Sequence, residues 1–121
     1  MVNKVKNSKI SVGAQDCHQN ENEGSFTGHI SAYQLKKLGV KYVILGHSEK
    51  RKDGDTNAKI NKKIKSAINQ NLRIILCVGE TIDQFKKNKT TYVIKDQITN
   101  SLKNIKKLDD VIIAYEPVWS I

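Results

Sequence analysis

Apolar residues in this chain follow two alternating rhythms, short unbroken runs and spaced repeats, which predict strands and helices in turn. Strand-like runs begin near Ile10, Lys41, Leu72 and Val111, and the first three starts lie about 31 residues apart. That is the length of a βαβ unit. Between the runs the apolar positions spread to helical spacing. Over residues 31–38, Ala32, Leu35 and Leu38 form a narrow stripe, Ser31 and Gln34 are spaced as a capping box, and Gly39 follows as a left-handed terminator. Over residues 56–70, Ile60, Ile64, Ala67 and Ile68 share one face with lysines opposite, and Asn71 can end the helix. A third helix is predicted over residues 91–106 from Ile94, Ile98, Leu102 and Ile105, and a short helical turn follows Glu80 and ends near Asn88.

Strands alternating with helices imply a parallel sheet, joined by the right-handed crossovers that such connections take. The predicted order is β-α-β-α-β-α-β in a single domain, or part of one, over residues 1–121. Residues 15–28 break the pattern, being long, polar and aperiodic, as functional or interfacial loops are.

The net charge of +9 raises the possibility of a polyanion partner. However, nineteen of the 21 basic residues are lysines scattered over every segment, and only Arg51 and Arg73 can make forked contacts. No aromatic–arginine interleaving suited to stacking bases occurs, so specific nucleic-acid binding is not expected. The lysines of 59–65 and 103–107 alternate with apolar positions and are read as solvated faces. No apolar run is long enough to span a bilayer. Cys17 and Cys77 lack the spacing of a metal or disulfide framework and read as reduced structural thiols, which points to the cytoplasm. His18 and His29 are read as surface residues, and neither a metal-ligand cluster nor a Gly-rich phosphate loop is evident.

The candidate chemistry lies where strands end. Val43-Ile44-Leu45 leads to His47, and Val111-Ile112-Ile113-Ala114 leads to Glu116. In parallel βα architectures the carboxyl ends of the strands share one face, and reacting groups collect there. An imidazole and a carboxylate on that face can move protons at a carbon next to a carbonyl. On spacing alone, Glu116 also fits a capping or solvated carboxylate, and His47 a core histidine with both nitrogens satisfied. Ser48-Glu49 can begin a helical turn after His47. Pro117 stiffens the strand exit and Trp119 offers an apolar anchor, as at a lid hinge or a simple turn.

The chain resembles triosephosphate isomerase in Ala14-Gln15-Asp16-Cys17, Gly24-Ser25-Phe26-Thr27-Gly28, Leu38-Gly39-Val40-Lys41-Tyr42-Val43-Ile44-Leu45-Gly46-His47-Ser48-Glu49, Cys77-Val78-Gly79-Glu80-Thr81 and Ile113-Ala114-Tyr115-Glu116-Pro117-Val118-Trp119. The resemblance implies a TIM (β/α)8 barrel, here a partial barrel of four parallel strands matching the third to sixth of eight and incomplete at both ends. It implies interconversion of dihydroxyacetone phosphate and D-glyceraldehyde 3-phosphate in glycolysis and gluconeogenesis, without a cofactor. Glu116 matches the base, His47 the electrophile that shuttles a proton between oxygens, and Glu49 a supporting carboxylate. The loop of residues 15–28 matches one that reaches into a second subunit, which implies a homodimer.

The Asn-x-Lys segment and phosphate-binding loop of the family have no counterpart in this sequence, so the chain alone is expected to be inactive. Three positions depart from the family pattern: Lys50 for the usual arginine, Asp55 for a common glutamate, and His29 for another glutamate, all at an ionic network of the dimer contact. The alternative reading is a noncatalytic basic α/β remnant that binds polyanions or a protein partner.

Overall fold

Four of the helices start where a side chain satisfies their exposed amides. A computed structural model describes residues 1–20 and 24–121. Its elements are α1 (Val2–Val5), β1 (Gly13–Ala14), α2 (Ala32–Lys37), β2 (Tyr42–Leu45), α3 (Ser48–Lys52), α4 (Asn57–Asn69), β3 (Arg73–Val78), α5 (Ile82–Lys86), α6 (Thr90–Ser101) and β4 (Val111–Tyr115). The Ser31 hydroxyl accepts from the Gln34 amide, and the Gln34 side chain accepts from the Ser31 amide. Thr81 and Gln84 build a second capping box that starts α5. Thr56 caps α4 by accepting from the Lys59 amide. Orphan amides at a helix start are stabilised in this way by roughly 1 kcal/mol each. Gly39 at φ +81° and Asn71 at φ 54° turn the chain out of α2 and α4 in the left-handed conformation.

All strand pairs are parallel, in the order β1-β2-β3-β4. Ile44 stands beside Ile75, and Ile75 beside Ile112. Val43, Leu45, Ile74 and Leu76 point to the face covered by α4, whose Ile60, Ile64 and Ala67 are fully buried. Burying each such branched side chain contributes about 1.5–3 kcal/mol. The apolar rhythm of α4 is therefore the main fastening of helix to sheet.

Four expectations need correcting. The first strand is only Gly13–Ala14, the two residues in register with Tyr42 and Val43 of β2; Ile10, where the run begins, is 63% exposed. The third helix ends at Ser101, about a turn early. The Asn61 amide donates to the carbonyls of Ser101 (2.8 Å) and Lys103 (2.9 Å), and Asn104 takes φ 61°. Leu38 leaves the α2 stripe and is 61% exposed, since the helix has already ended at Lys37. Lys63 does not lie on a solvated face. It is 3% exposed, and its ammonium contacts both Asp16 oxygens (2.8 and 2.9 Å) and Asp55 (2.6 Å).

That cluster extends to Lys59, which is 2.8 Å from Asp55, and to Lys50, which is 3.9 Å from Asp16. It joins the segment after β1 to α4 within one chain. The long loop is tied further by rings: His18 lies 4.3 Å from Phe26 and 4.8 Å from His29, centre to centre. His18 is partly exposed and His29 exposed. Residues 21–23 of that loop lie outside the described residues.

Candidate active site

The site forms on the carboxyl edge of the sheet, where β2, β3 and β4 release His47, Glu80 and Glu116. Gly46 lets β2 turn sharply at φ +77°; a Cβ there would sit 2.9 Å from the Cys77 carbonyl oxygen. His47 then caps α3, its Nδ1 accepting the Glu49 amide at 3.3 Å. An accepting Nδ1 leaves the ring hydrogen on Nε2. That nitrogen faces Glu116, 3.8 Å from its Oε2. The gap is too long for a hydrogen bond, so each group stays available to a third molecule.

Glu116 is placed by its backbone. Its amide donates to the Val78 carbonyl at 2.8 Å, and its own carbonyl presses against Gly79, where any Cβ would collide with it. Gln97 of α6 brackets Gly79, accepting from its amide (2.9 Å) and donating to its carbonyl (3.0 Å). The Cys77 thiol sits against the Glu116 carboxylate, and burial together with that charge pushes the thiol up to about 11. A thiol so shifted is a packing group rather than a nucleophile. Cys17, likewise buried, is pushed up to about 12.

Glu49 stands beside His47, its Oε2 4.0 Å from Nδ1, on the nitrogen that faces away from Glu116. Its side chain is 83% exposed. The structure thus gathers all three expected residues, with His47 between the two carboxylates.

Glu80 was missed by the strand-exit logic that found His47 and Glu116, although it also follows a strand closely. It is fully buried, and its oxygens accept the Tyr115 hydroxyl (3.1 and 3.2 Å) and the Trp119 indole N–H (3.2 Å). Burial alone would push its carboxyl up. Bonds from its own amide, Trp119, Tyr115 and Thr90 outweigh that and hold it below the usual range. Burial and the same carboxylate push the Tyr115 phenol up. Glu80 thereby pins both flanks of the Glu116-Pro117 exit, and its carbonyl also accepts the Val118 amide at 3.0 Å. Among the described residues no group of three or more His, Cys, Asp or Glu is placed to hold a metal ion, and no helix is long and apolar enough to cross a membrane.

Parallel strands alternating with helices, with an imidazole and a carboxylate meeting above their carboxyl ends, define part of a (β/α)8 barrel of the enzyme type. The family model described as triosephosphate isomerase matches residues 1–121. The chain belongs to the triosephosphate isomerase family. It is 50% identical over 117 residues to the triosephosphate isomerase of Alkaliphilus metalliredigens, covering 94% of this chain and 47% of that protein. With that of Prosthecochloris aestuarii it shares 45% identity over 118 residues, covering 97% and 46%. The crystal structure of triosephosphate isomerase from Bartonella henselae superposes with a TM-score of 0.92 at 37% identity, covering 99% of this chain and 51% of that one. The chain spans about half the length of the relatives it matches.

Proposed function

We propose that this chain carries the proton-transfer half of a triose-phosphate isomerase, which interconverts dihydroxyacetone phosphate and D-glyceraldehyde 3-phosphate. The observation that carries the reading is the unbonded approach of His47 Nε2 to Glu116 Oε2 at 3.8 Å. Glu116 takes a proton from the carbon beside the substrate carbonyl, while the Nε2 hydrogen of His47 is donated to the carbonyl oxygen. The electron pair left by the proton becomes the enediolate double bond, and the negative charge builds on oxygen where His47 meets it. His47 moves a proton from one oxygen to the other, and Glu116 returns its proton to the neighbouring carbon. Glu49 supports His47, its amide holding Nδ1 as acceptor. No cofactor enters this scheme. The working protein is a cytoplasmic homodimer of glycolysis and gluconeogenesis, and the loop of residues 15–28, where the His18 ring packs against Phe26 and against the following His29, is the segment offered to a second subunit.

Solvent exchange tests the chemistry. In D2O, the full-length protein should wash one deuterium into the carbon of dihydroxyacetone phosphate from which Glu116 takes its proton. Turnover without exchange would point to hydride transfer and overturn the assignment of Glu116 as base. Sedimentation should show a dimer that dissociates when residues 20–24 are deleted; a dimer unaffected by the deletion would remove the loop from the interface.

A further inference from the structure

The two arginines of this chain both join β2 to β3, one at each end. At the amino end, Arg73 donates to the Tyr42 hydroxyl at 2.7 Å on the surface. At the carboxyl end, Arg51 is half-buried and spends three nitrogens on three elements. Nε donates to the Gly46 carbonyl (2.8 Å), Nη2 to the Cys77 carbonyl (3.2 Å) and Nη1 to Asn57 Oδ1 (2.7 Å). Gly46 directly precedes His47, and Cys77 is the residue whose thiol lies against Glu116. We propose that Arg51 is a positioning residue for the isomerisation, fixing the end of the strand that bears His47 against the strand end on which Glu116 rests. This rests on the reading of His47 and Glu116 as the reacting pair.

The contacts leave no slack. A Cβ at Gly46 would lie 3.0 Å from Arg51 Nη2 as well as 2.9 Å from the Cys77 carbonyl, so strand exit, guanidinium and neighbouring strand touch directly. On the far side, Glu116 is hydrogen-bonded to Val78 and wedged on Gly79, so it follows any shift of the β3 end. If β3 slides against β2, the distance from Nε2 to the carboxylate changes with it.

The chemistry of the side chain supports the same role. All three bonds go to uncharged oxygens in a fixed fork, which a planar guanidinium can satisfy at once and a lysine ammonium cannot. Burial pulls Arg51 below its ordinary value, and the charges of Cys77, Asp55 and Asp96 offset this only in part. Its link to an acid runs through Asn57, whose amide donates to Asp96 at 3.0 Å. Lysine fills nineteen of the 21 basic positions here, including Lys50 next door. Arginine stands where a fork is used.

The test compares Arg51→Lys, Asn57→Ala and, as a control at the other end of the same strand pair, Arg73→Lys in the full-length protein. Arg51→Lys should lower kcat by at least about tenfold with KM within about twofold, as expected when reacting groups shift by a fraction of an ångström. It should also move the ring 15N resonances of His47 in the substrate-free protein. Asn57→Ala, which removes one of the three anchors, should do both to a lesser degree, and Arg73→Lys should do neither. Wild-type kcat and unchanged His47 resonances in folded Arg51→Lys would overturn the proposal. Should that variant not fold, the same null result in Asn57→Ala overturns it. If the parent protein does not isomerise triose phosphates, the functional reading fails on its own, while the His47 resonances still report whether Arg51 sets the ring.

Discussion

Glu116 and Glu80 leave adjacent strand ends and meet opposite surroundings. Glu116 has a side chain 42% exposed and no hydrogen-bonding partner on His47, whereas Glu80 is sealed from water and saturated with donors. The first keeps its oxygens open to another molecule and the second does not, which fits the proposed split between a reacting group and a fastener. A shorter base tests this. In a complete barrel, Glu116→Asp should draw the carboxylate back by about 1 Å and lower kcat about 100-fold with KM nearly unchanged. Near-normal kcat would remove Glu116 from the chemistry. His47 and Glu116 were legible in the sequence because each directly follows an apolar run, a local signal. Glu80 was not, because its donors Tyr115 and Trp119 lie 35 and 39 residues away and only the fold brings them together.

At the scale of elements, the same division between local and distant determinants holds. The starts of α2 and α4 and the left-handed exits at Gly39 and Asn71 were readable because cap and helix are contiguous. The end of α6 was not, since Asn61, 40 residues before Ser101, sets it. Nor was the burial of Lys63, whose repeat position matches its solvated neighbours and whose partner Asp16 is 47 residues distant. Breaking this cluster with Lys63→Ala should leave two carboxylates without their buried cation and cost about 3–5 kcal/mol in urea unfolding. The pH profile should follow from the same groups. Burial opposes ionisation of Asp55, but bonds and charges from Lys59 and Lys63 hold it below 3.8, so its contribution is present above that value and lost as pH falls further. Burial likewise opposes the charge on Lys63, and Asp16 and Asp55 outweigh it, raising Lys63 above 10.5; its stabilisation is lost at higher pH. Cys17, raised from 9.0 to about 12, favours the folded state below 9 and loses that contribution progressively towards 12. Stability measured against pH should therefore be flat near neutrality and fall from about pH 9 upward. A rise between 9 and 11 would contradict the placement of Cys17 and Lys63.

For the molecule as a whole, the parallel order was legible from the 31-residue rhythm and the barrel class from the resemblance to triosephosphate isomerase, whereas the geometry that joins β2, β3 and β4 at the site needed the structure. In this chain β1 and β4 each pair on one side only, and Ile112, Ile113 and Tyr115 on β4 are 43%, 41% and 53% exposed. Unpaired edges with apolar side chains promote association. A polypeptide of residues 1–121 by itself should accordingly self-associate in analytical ultracentrifugation and show no isomerase turnover; a stable monomer with sharp cooperative unfolding would contradict this. The central claim, that His47 and Glu116 are the working pair once the barrel is complete, is tested most directly by grafting. Residues 1–121 would replace the matching half of the Bartonella henselae triosephosphate isomerase, whose backbone they follow at a TM-score of 0.92. The chimera should fold, convert D-glyceraldehyde 3-phosphate to dihydroxyacetone phosphate and lose that turnover with Glu116→Ala. A folded chimera without turnover, or one indifferent to Glu116→Ala, would contradict the claim.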